Sequence, residues 1–100
     1  MAGPFQGRAR EPHIEEGNIV RLGRNARMWT GKIGDNTSEL YRGRALQGLE
    51  FEVLEVHRTA HFTQVRIEDN ETGLHVWVNI WVRYNAWNQA RGVTFGAVVR

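Results

Sequence analysis

Apolar and polar residues alternate through most of the chain after Gly17, and this alternation predicts β-strands rather than helices. It is clearest from Leu74 to Arg83, where one face would carry aliphatic side chains and the other aromatic and polar ones. Shorter versions of the pattern predict four further strands, over 18–22, 49–56, 62–68 and 93–99. Within 49–56 the alternation changes phase near Val53, which predicts a bulge or a sharp bend.

The connections between these strands differ in length. Residues 69–73 read Asp-Asn-Glu-Thr-Gly, which predicts a tight turn between the third and fourth strands. Residues 23–48 have weak periodicity and five glycines, so we expect a long loop that carries function. Residues 84–90 have the length of one helical turn, which Gly92 would end.

The N-terminal residues differ in composition from the rest of the chain. Residues 1–16 contain both prolines and few apolar side chains, so they cannot bury enough surface to order by themselves. We therefore expect a flexible N-terminal arm over 1–16 and one folded domain over 17–100.

The order of the predicted strands indicates an all-β fold, a small five-stranded SH3-like barrel with a long loop after the first strand and an extended N-terminal arm. A closed sheet would pair most of the edge groups that an open sheet of five strands leaves unpaired. An OB-fold is the nearest alternative. It usually has a helix between the third and fourth strands, and the turn at 69–73 leaves no room for one.

The residue types limit the chemistry. The 100 residues include no cysteine, and Ser38 is the single serine, with no motif of nucleophilic catalysis around it. His57 and His61 stand four apart but flank a predicted turn, so we expect no metal site. Motifs that bind phosphate are also absent. The sequence therefore predicts a protein without enzymatic activity or a cofactor.

Two features bear on location. The longest uncharged apolar stretch, 72–82, is well short of the roughly 20 residues that span a bilayer as a helix. The first 16 residues lack the apolar centre of a secretory signal. We therefore expect a cytoplasmic or virion-associated protein with no membrane partner.

Charge is distributed unevenly along the chain. The formal net charge is +2, and 12 of the 13 basic residues are arginine, a type that suits stacking and bidentate contacts. A GC-rich genome would give the same arginine bias. The segment 49–75 carries six acidic and two basic residues. A net charge of +2 is low for a dedicated nucleic-acid binder, so nucleic acid is an alternative partner only.

The polar face of the 74–83 strand is the strongest candidate for a binding site. It combines imidazole, indole, amide and guanidinium groups in one row: His75, Trp77, Asn79, Trp81 and Arg83. Such groups can stack on a planar ligand and bond to its edges. Trp29, in the long loop, has two explanations: it can overhang a groove and contact a ligand, or it can hold the loop against the barrel. Two explanations fit the tryptophan pair, an open ligand surface or burial within the chain or against another copy.

Several short motifs occur in a characteristic order. They are Gly17-Asn18-Ile19-Val20, Asn25-Ala26-Arg27 with Gly31, Gly48 followed by Phe51-Glu52-Val53-Leu54-Glu55-Val56, Val65-Arg66-Ile67, Thr72-Gly73 and Val76-Trp77-Val78. This order resembles the bacterial SH3 (SH3b) repeat over 17–83. The resemblance implies a recognition domain without catalysis that binds cell-wall peptide or glycan, with Trp29, Trp77 and Trp81 as groove residues.

Three functional hypotheses follow. The first is a non-enzymatic interaction module that recognises a protein or a cell-wall peptide or glycan through the aromatic face. The second is a structural subunit of a larger assembly, a homo-oligomer or a phage particle. The third is a nucleic-acid-binding protein that would use the arginines of the first half of the chain, Arg8, Arg10, Arg21, Arg24, Arg27, Arg42 and Arg44.

Overall fold

The computed structural model describes residues 10–24, 26–32, 34–40, 46–83 and 93–100. These residues contain nine strands: β1 (Ile19–Leu22), β2 (Met28–Trp29), β3 (Glu39–Leu40), β4 (Glu50–Glu52), β5 (Glu55–Arg58), β6 (Phe62–Glu68), β7 (His75–Val82), β8 (Val93–Thr94) and β9 (Gly96–Val98). The predicted all-β class is confirmed. The helical turn predicted over 84–90 lies outside the described residues, as do the first nine residues of the arm.

The strands form two antiparallel sheets. The smaller has the order β4-β1-β9, and the larger has the order β3-β2-β7-β6-β5, with β8 also paired to β7. The long β6–β7 hairpin is the centre of the larger sheet, because β2 and β8 both pair with β7 and β5 pairs with β6. The sequence predicts one bent sheet of five strands, whereas the structure divides the same segments between two sheets.

Two points of the chain connect these sheets. The Val53 N–H donates to the carbonyl of Asn18, 2.8 Å away, in the smaller sheet, and the next N–H, that of Leu54, donates to the carbonyl of Arg66, 2.8 Å away, in the larger. This confirms the bend predicted near Val53. Phe95 connects the sheets in the same way, because it follows β8 in the larger sheet and precedes β9 in the smaller.

The core lies between the two sheets. It is formed by alternate aliphatic side chains of β6 and β7 and by residues of the smaller sheet: Val65, Ile67, Val76, Val78 and Ile80 with Val20, Leu22 and Phe51. Leu74, predicted to begin the aliphatic face, is 61% exposed, so the buried part of that face starts at Val76.

Residues 10–16 belong to this fold. Ile14 is completely buried among the core side chains, and the Arg58 guanidinium donates to its carbonyl. The Thr63 hydroxyl donates to the carboxylate of Glu11, 2.8 Å away. The second half of the predicted flexible arm is therefore packed in the structure. Ile14 in the core, together with the hydrogen bonds to Arg58 and Thr63, attaches the segment to residues distant in sequence.

The predicted long loop, 23–48, contains a small hairpin. β2 pairs with β3, and the Thr30 N–H donates to the carbonyl of Ser38, 2.9 Å away. β2 also pairs with β7, so this hairpin extends the larger sheet. The expectation of a loop without strands is wrong here. Strands of two residues are too short to show an alternating pattern, and pairing with β7 decides where they form.

The turn between β6 and β7 forms as predicted. Gly73 has a φ of 74°, and its N–H donates to the carbonyl of Asp69, 2.7 Å away. The Asp69 side chain accepts the N–H of Glu71 at 3.0 Å. A glycine in the left-handed region and an aspartate that bonds its own turn explain why this sequence closes the hairpin.

Candidate functional site

The hairpin of β2 and β3 brings Trp29 beside Trp77. Five residues in register form a row across the larger sheet from β3 to β5: Glu39, Trp29, Trp77, Arg66 and Glu55. Residues paired across antiparallel strands project from the same face. The neighbouring row, which includes Met28 and Val78, faces the core. The tryptophan row therefore belongs to the opposite side of the sheet.

A second row on this side is polar and buried. Asn79 pairs with Gln64, and Gln64 pairs with His57. Gln64 is fully buried, and Asn79 is 7% exposed. The His57 ring meets the Trp77 ring edge-on, with 6.4 Å between the ring centres. We call this side, defined by Trp29, Gln64, Trp77 and Asn79, the outer face.

The tryptophans of β7 are buried. Trp77 is 6% exposed and Trp81 is 7% exposed. Of the two explanations left by the sequence, the structure therefore shows burial within the chain for this pair. The Nζ atom of Lys32 lies 5.4 Å from the centre of the Trp77 ring and helps to cover it. A ligand would reach Trp77 only after side chains above it have moved.

The other predicted site residues occupy separate places. Trp29 is half-buried next to Trp77, and Asn79 lies two residues farther along β7. His75 is exposed at the beginning of β7, where its Nδ1 accepts a hydrogen bond from Arg66 at 2.6 Å. Arg83 is exposed just beyond the other end of the strand. The structure thus brings together Trp29, Trp77 and Asn79 but leaves His75 and Arg83 at opposite ends of β7.

Each indole of the outer face has a cation above it. The Lys32 Nζ over Trp77 also lies 2.8 Å from the Glu55 carboxylate. The Arg27 guanidinium carbon lies 5.2 Å from the centre of the Trp29 ring. That guanidinium donates two hydrogen bonds, of 2.8 and 2.9 Å, to Glu39.

The sequence places Arg27 and Lys32 close to Trp29 along the chain, but it does not connect Lys32 or Glu55 with Trp77. Glu55 shares a face with His57 on a short alternating strand, and this position was a signal in the sequence. The residue that pairs with the Glu55 carboxylate depends on the strand register, which the sequence does not show.

These ion pairs lower the pKa of two carboxyl groups. The hydrogen bond from Arg27 lowers the pKa of Glu39 below its usual value, and the hydrogen bond from Lys32 does the same for Glu55. A lowered pKa in the folded state stabilises the protein above the pKa of the unfolded chain. That stabilisation is lost as the pH falls through the folded pKa.

We therefore expect the free energy of unfolding to fall as the pH drops below about 4, where carboxylates gain protons. Glu55→Gln should show a smaller fall, because one of the paired carboxylates is missing. Urea unfolding of both proteins at pH 6.5 and pH 3.5 measures the difference. An equal fall in the two proteins would contradict a stabilising role for this ion pair.

The indole Nε1 of Trp29, a hydrogen-bond donor, and the side-chain Oδ1 of Asn79, an acceptor, are buried atoms of the outer face without a partner within the described residues. A buried polar atom without a partner costs about 1–3 kcal/mol. Buried groups of this kind are rare in native proteins. A ligand that presents both an acceptor and a donor would satisfy them.

Two of the four described arginines suggested for nucleic-acid binding are paired with carboxylates, and a third, Arg10, is exposed. Arg21 lies 2.7 Å from Glu50, and Arg27 binds Glu39 through two bonds. Arg24 is exposed, whereas Arg8, Arg42 and Arg44 lie outside the described residues. Cations already paired with carboxylates offer less charge to a phosphate backbone. This arrangement favours the aromatic outer face over a basic surface.

Three further findings concern metal sites, membrane-spanning helices and known relatives. Within the described ranges, no three histidine, aspartate or glutamate side chains are grouped so that they could hold a metal ion. The same residues include no helix with the length and apolar character needed to cross a bilayer. Comparison with protein-family models, curated proteins and solved structures finds no match to this chain.

Proposed function

We propose that the protein is a non-enzymatic interaction module that binds a peptide segment of its partner on the outer face, beside Trp29, Trp77 and Asn79. The observation that carries this proposal is the pair of buried, unpartnered atoms, Trp29 Nε1 and Asn79 Oδ1. A peptide backbone presents a carbonyl and an N–H together, so one segment could bond to both. The half-buried indole of Trp29 offers apolar surface on which the same segment could stack.

The pairing of the strands supports an SH3-like barrel as the scaffold of this module. β1 pairs with β4, β5 with β6, β6 with β7, β7 with β8, and β9 with β1. The bends at 53–54 and at Phe95 join these pairs around the core. This is the arrangement expected of five bent strands in a small barrel. The order of the SH3b-like motifs is consistent with it.

Asn79→Leu tests whether the amide serves binding rather than folding. Leucine has a similar size and removes the unpartnered acceptor, so we expect the free energy of unfolding to rise by about 1 kcal/mol. Urea unfolding measures this change. A loss of more than about 1 kcal/mol would mean that the amide stabilises the fold, which would remove the observation behind the proposed function.

Binding is tested with a displayed library of random 12-residue peptides selected on the full chain. We expect a shared sequence among the selected peptides and loss of their binding to Asn79→Leu and to Trp29→Ala. Leu74→Gln is the control, because Leu74 immediately precedes β7, is exposed and lies away from the outer face. Peptides that bind Asn79→Leu and Trp29→Ala as well as the wild type would overturn the proposed site.

A further inference from the structure

We infer that Trp77 and Glu55 form a binding site for a cationic side chain, and that Lys32 of the same chain occupies this site in the absence of a ligand. The inference rests on the proposed function and names the chemical class of the peptide it would bind. The partner segment would carry a lysine or an arginine that replaces Lys32 above the indole.

The geometry around Lys32 is that of a cation receptor. Its Nζ lies 5.4 Å from the centre of the Trp77 ring and 2.8 Å from an oxygen of Glu55. The electron-rich face of an indole and a carboxylate both attract a cation. Arg66 lies 3.4 Å from the other oxygen of Glu55 and helps to position that carboxylate. A lysine from another chain could make the same two contacts.

Lys32 is suited to being displaced. Its side chain is 38% exposed, and ion pairs that solvent reaches contribute little to stability. Its backbone is held separately, since the carbonyl of Lys32 accepts the N–H of Asp35 at 3.1 Å. The ammonium group can therefore leave Trp77 while the turn that carries it stays in place.

A buried acceptor on the same face favours a cation from another molecule. Asn79 is two residues from Trp77 along β7, is more than nine-tenths buried, and has an Oδ1 atom without a partner. The incoming peptide has N–H donors on its backbone and on its ammonium or guanidinium group, and one of them could bond to this amide oxygen. The Trp29 Nε1 donor could then bond to a carbonyl of the same peptide.

The second indole shows the same combination of groups. The Arg27 guanidinium lies over Trp29 and is held by Glu39. Each of the two adjacent indoles therefore lies beside a carboxylate, and an aromatic ring and a carboxylate both attract a cation.

The test uses Lys32→Met, which keeps an unbranched side chain but removes the charge. The probes are acetyl-Gly-Lys-Gly-amide and the same peptide with norleucine in place of lysine. If Lys32 fills the site about nine-tenths of the time, its removal should strengthen binding of the lysine peptide about tenfold. Binding is followed by NMR titration of the indole N–H signals in the full chain.

The controls separate charge from stacking. The norleucine peptide should bind wild type and Lys32→Met equally weakly. Adding Glu55→Gln to Lys32→Met should remove most of the gain for the lysine peptide. Equal affinity of wild type and folded Lys32→Met for the lysine peptide would overturn the inference, as would an equal gain for the norleucine peptide.

Failure of this inference can be distinguished from failure of the proposed function. Library peptides that need Trp29 and Asn79 but show no preference for lysine or arginine would leave the peptide site standing and overturn the cation site. Two results together would overturn both the proposed function and the cation site. The library would yield no peptide whose binding depends on Trp29 or Asn79, and Lys32→Met would bind the lysine peptide no more tightly than the wild type does.

Discussion

Replacing Ile14 by alanine is expected to lower the free energy of unfolding by about 3 kcal/mol, a typical cost for truncating a buried aliphatic side chain. Ile14 is completely buried in the core between the two sheets. The core cluster that contains Ile14 includes Val20, Val65 and Val78, which belong to paired strands, so the cluster cannot collapse freely into the space that alanine leaves. Urea unfolding of the full chain measures the loss.

Two variants control this experiment. Ile14→Val removes a single methylene and should cost about 1 kcal/mol. Glu16→Ala changes an exposed side chain close in sequence and should stay within about 0.5 kcal/mol of the wild type. If Ile14→Ala also stayed within that range, residues 10–16 would be the flexible segment that their composition suggests, and their packed position would be wrong.

Replacing Gly96 by alanine is expected to cost about 2 kcal/mol, because the new methyl group has no space between the sheets. A Cβ at this position would lie 2.9 Å from the backbone oxygen of Arg21 and 3.2 Å from the Ile80 side chain. The backbone oxygen cannot withdraw without disturbing the pairing of β1 with β9, in which Leu22 is opposite Gly96. The smaller sheet should therefore loosen at this edge.

Hydrogen exchange locates that loosening. The Val99 N–H donates to the carbonyl of Ile19, 2.9 Å away, and should exchange faster in Gly96→Ala than in the wild type. Ala97→Val is the matched control, because it enlarges the next, exposed residue of β9 and should change stability by less than about 0.5 kcal/mol. Wild-type stability in Gly96→Ala would contradict the close approach of β9 to β1.

The fold could be predicted best where alternation continues over many residues. β6 has the predicted bounds, and β7 is shorter by one residue at each end than the predicted strand. The bend near Val53 was also visible, since a strand that enters a second sheet must change which residues face the core. β2 and β3 were missed because each has two residues and depends on pairing with distant strands.

The candidate site was predicted only in part. The sequence identified Trp29, Trp77 and Asn79 as residues of interest, but it could not show that Trp29 would pair with Trp77. It also left open whether the tryptophans of β7 are exposed. Alternation shows that two faces of a strand differ, but it does not show what packs on the second face. Glu55 comes close to Trp77 because β5 pairs with β6 and β6 pairs with β7. Lys32 comes close to Trp77 because it lies in the turn after β2, which also pairs with β7.

The sequence alone determined the all-β class, the central hairpin and the residues of β7 that face the core, because all three depend on local turn chemistry and on a period of two residues. Only the tertiary structure decided that Ile14 joins the core, that the strands divide between two sheets, and that Lys32 lies over Trp77. These features depend on contacts between residues far apart in the chain. Such contacts follow from how the sheets pack and from the register of their strands, and no short segment of sequence contains that information.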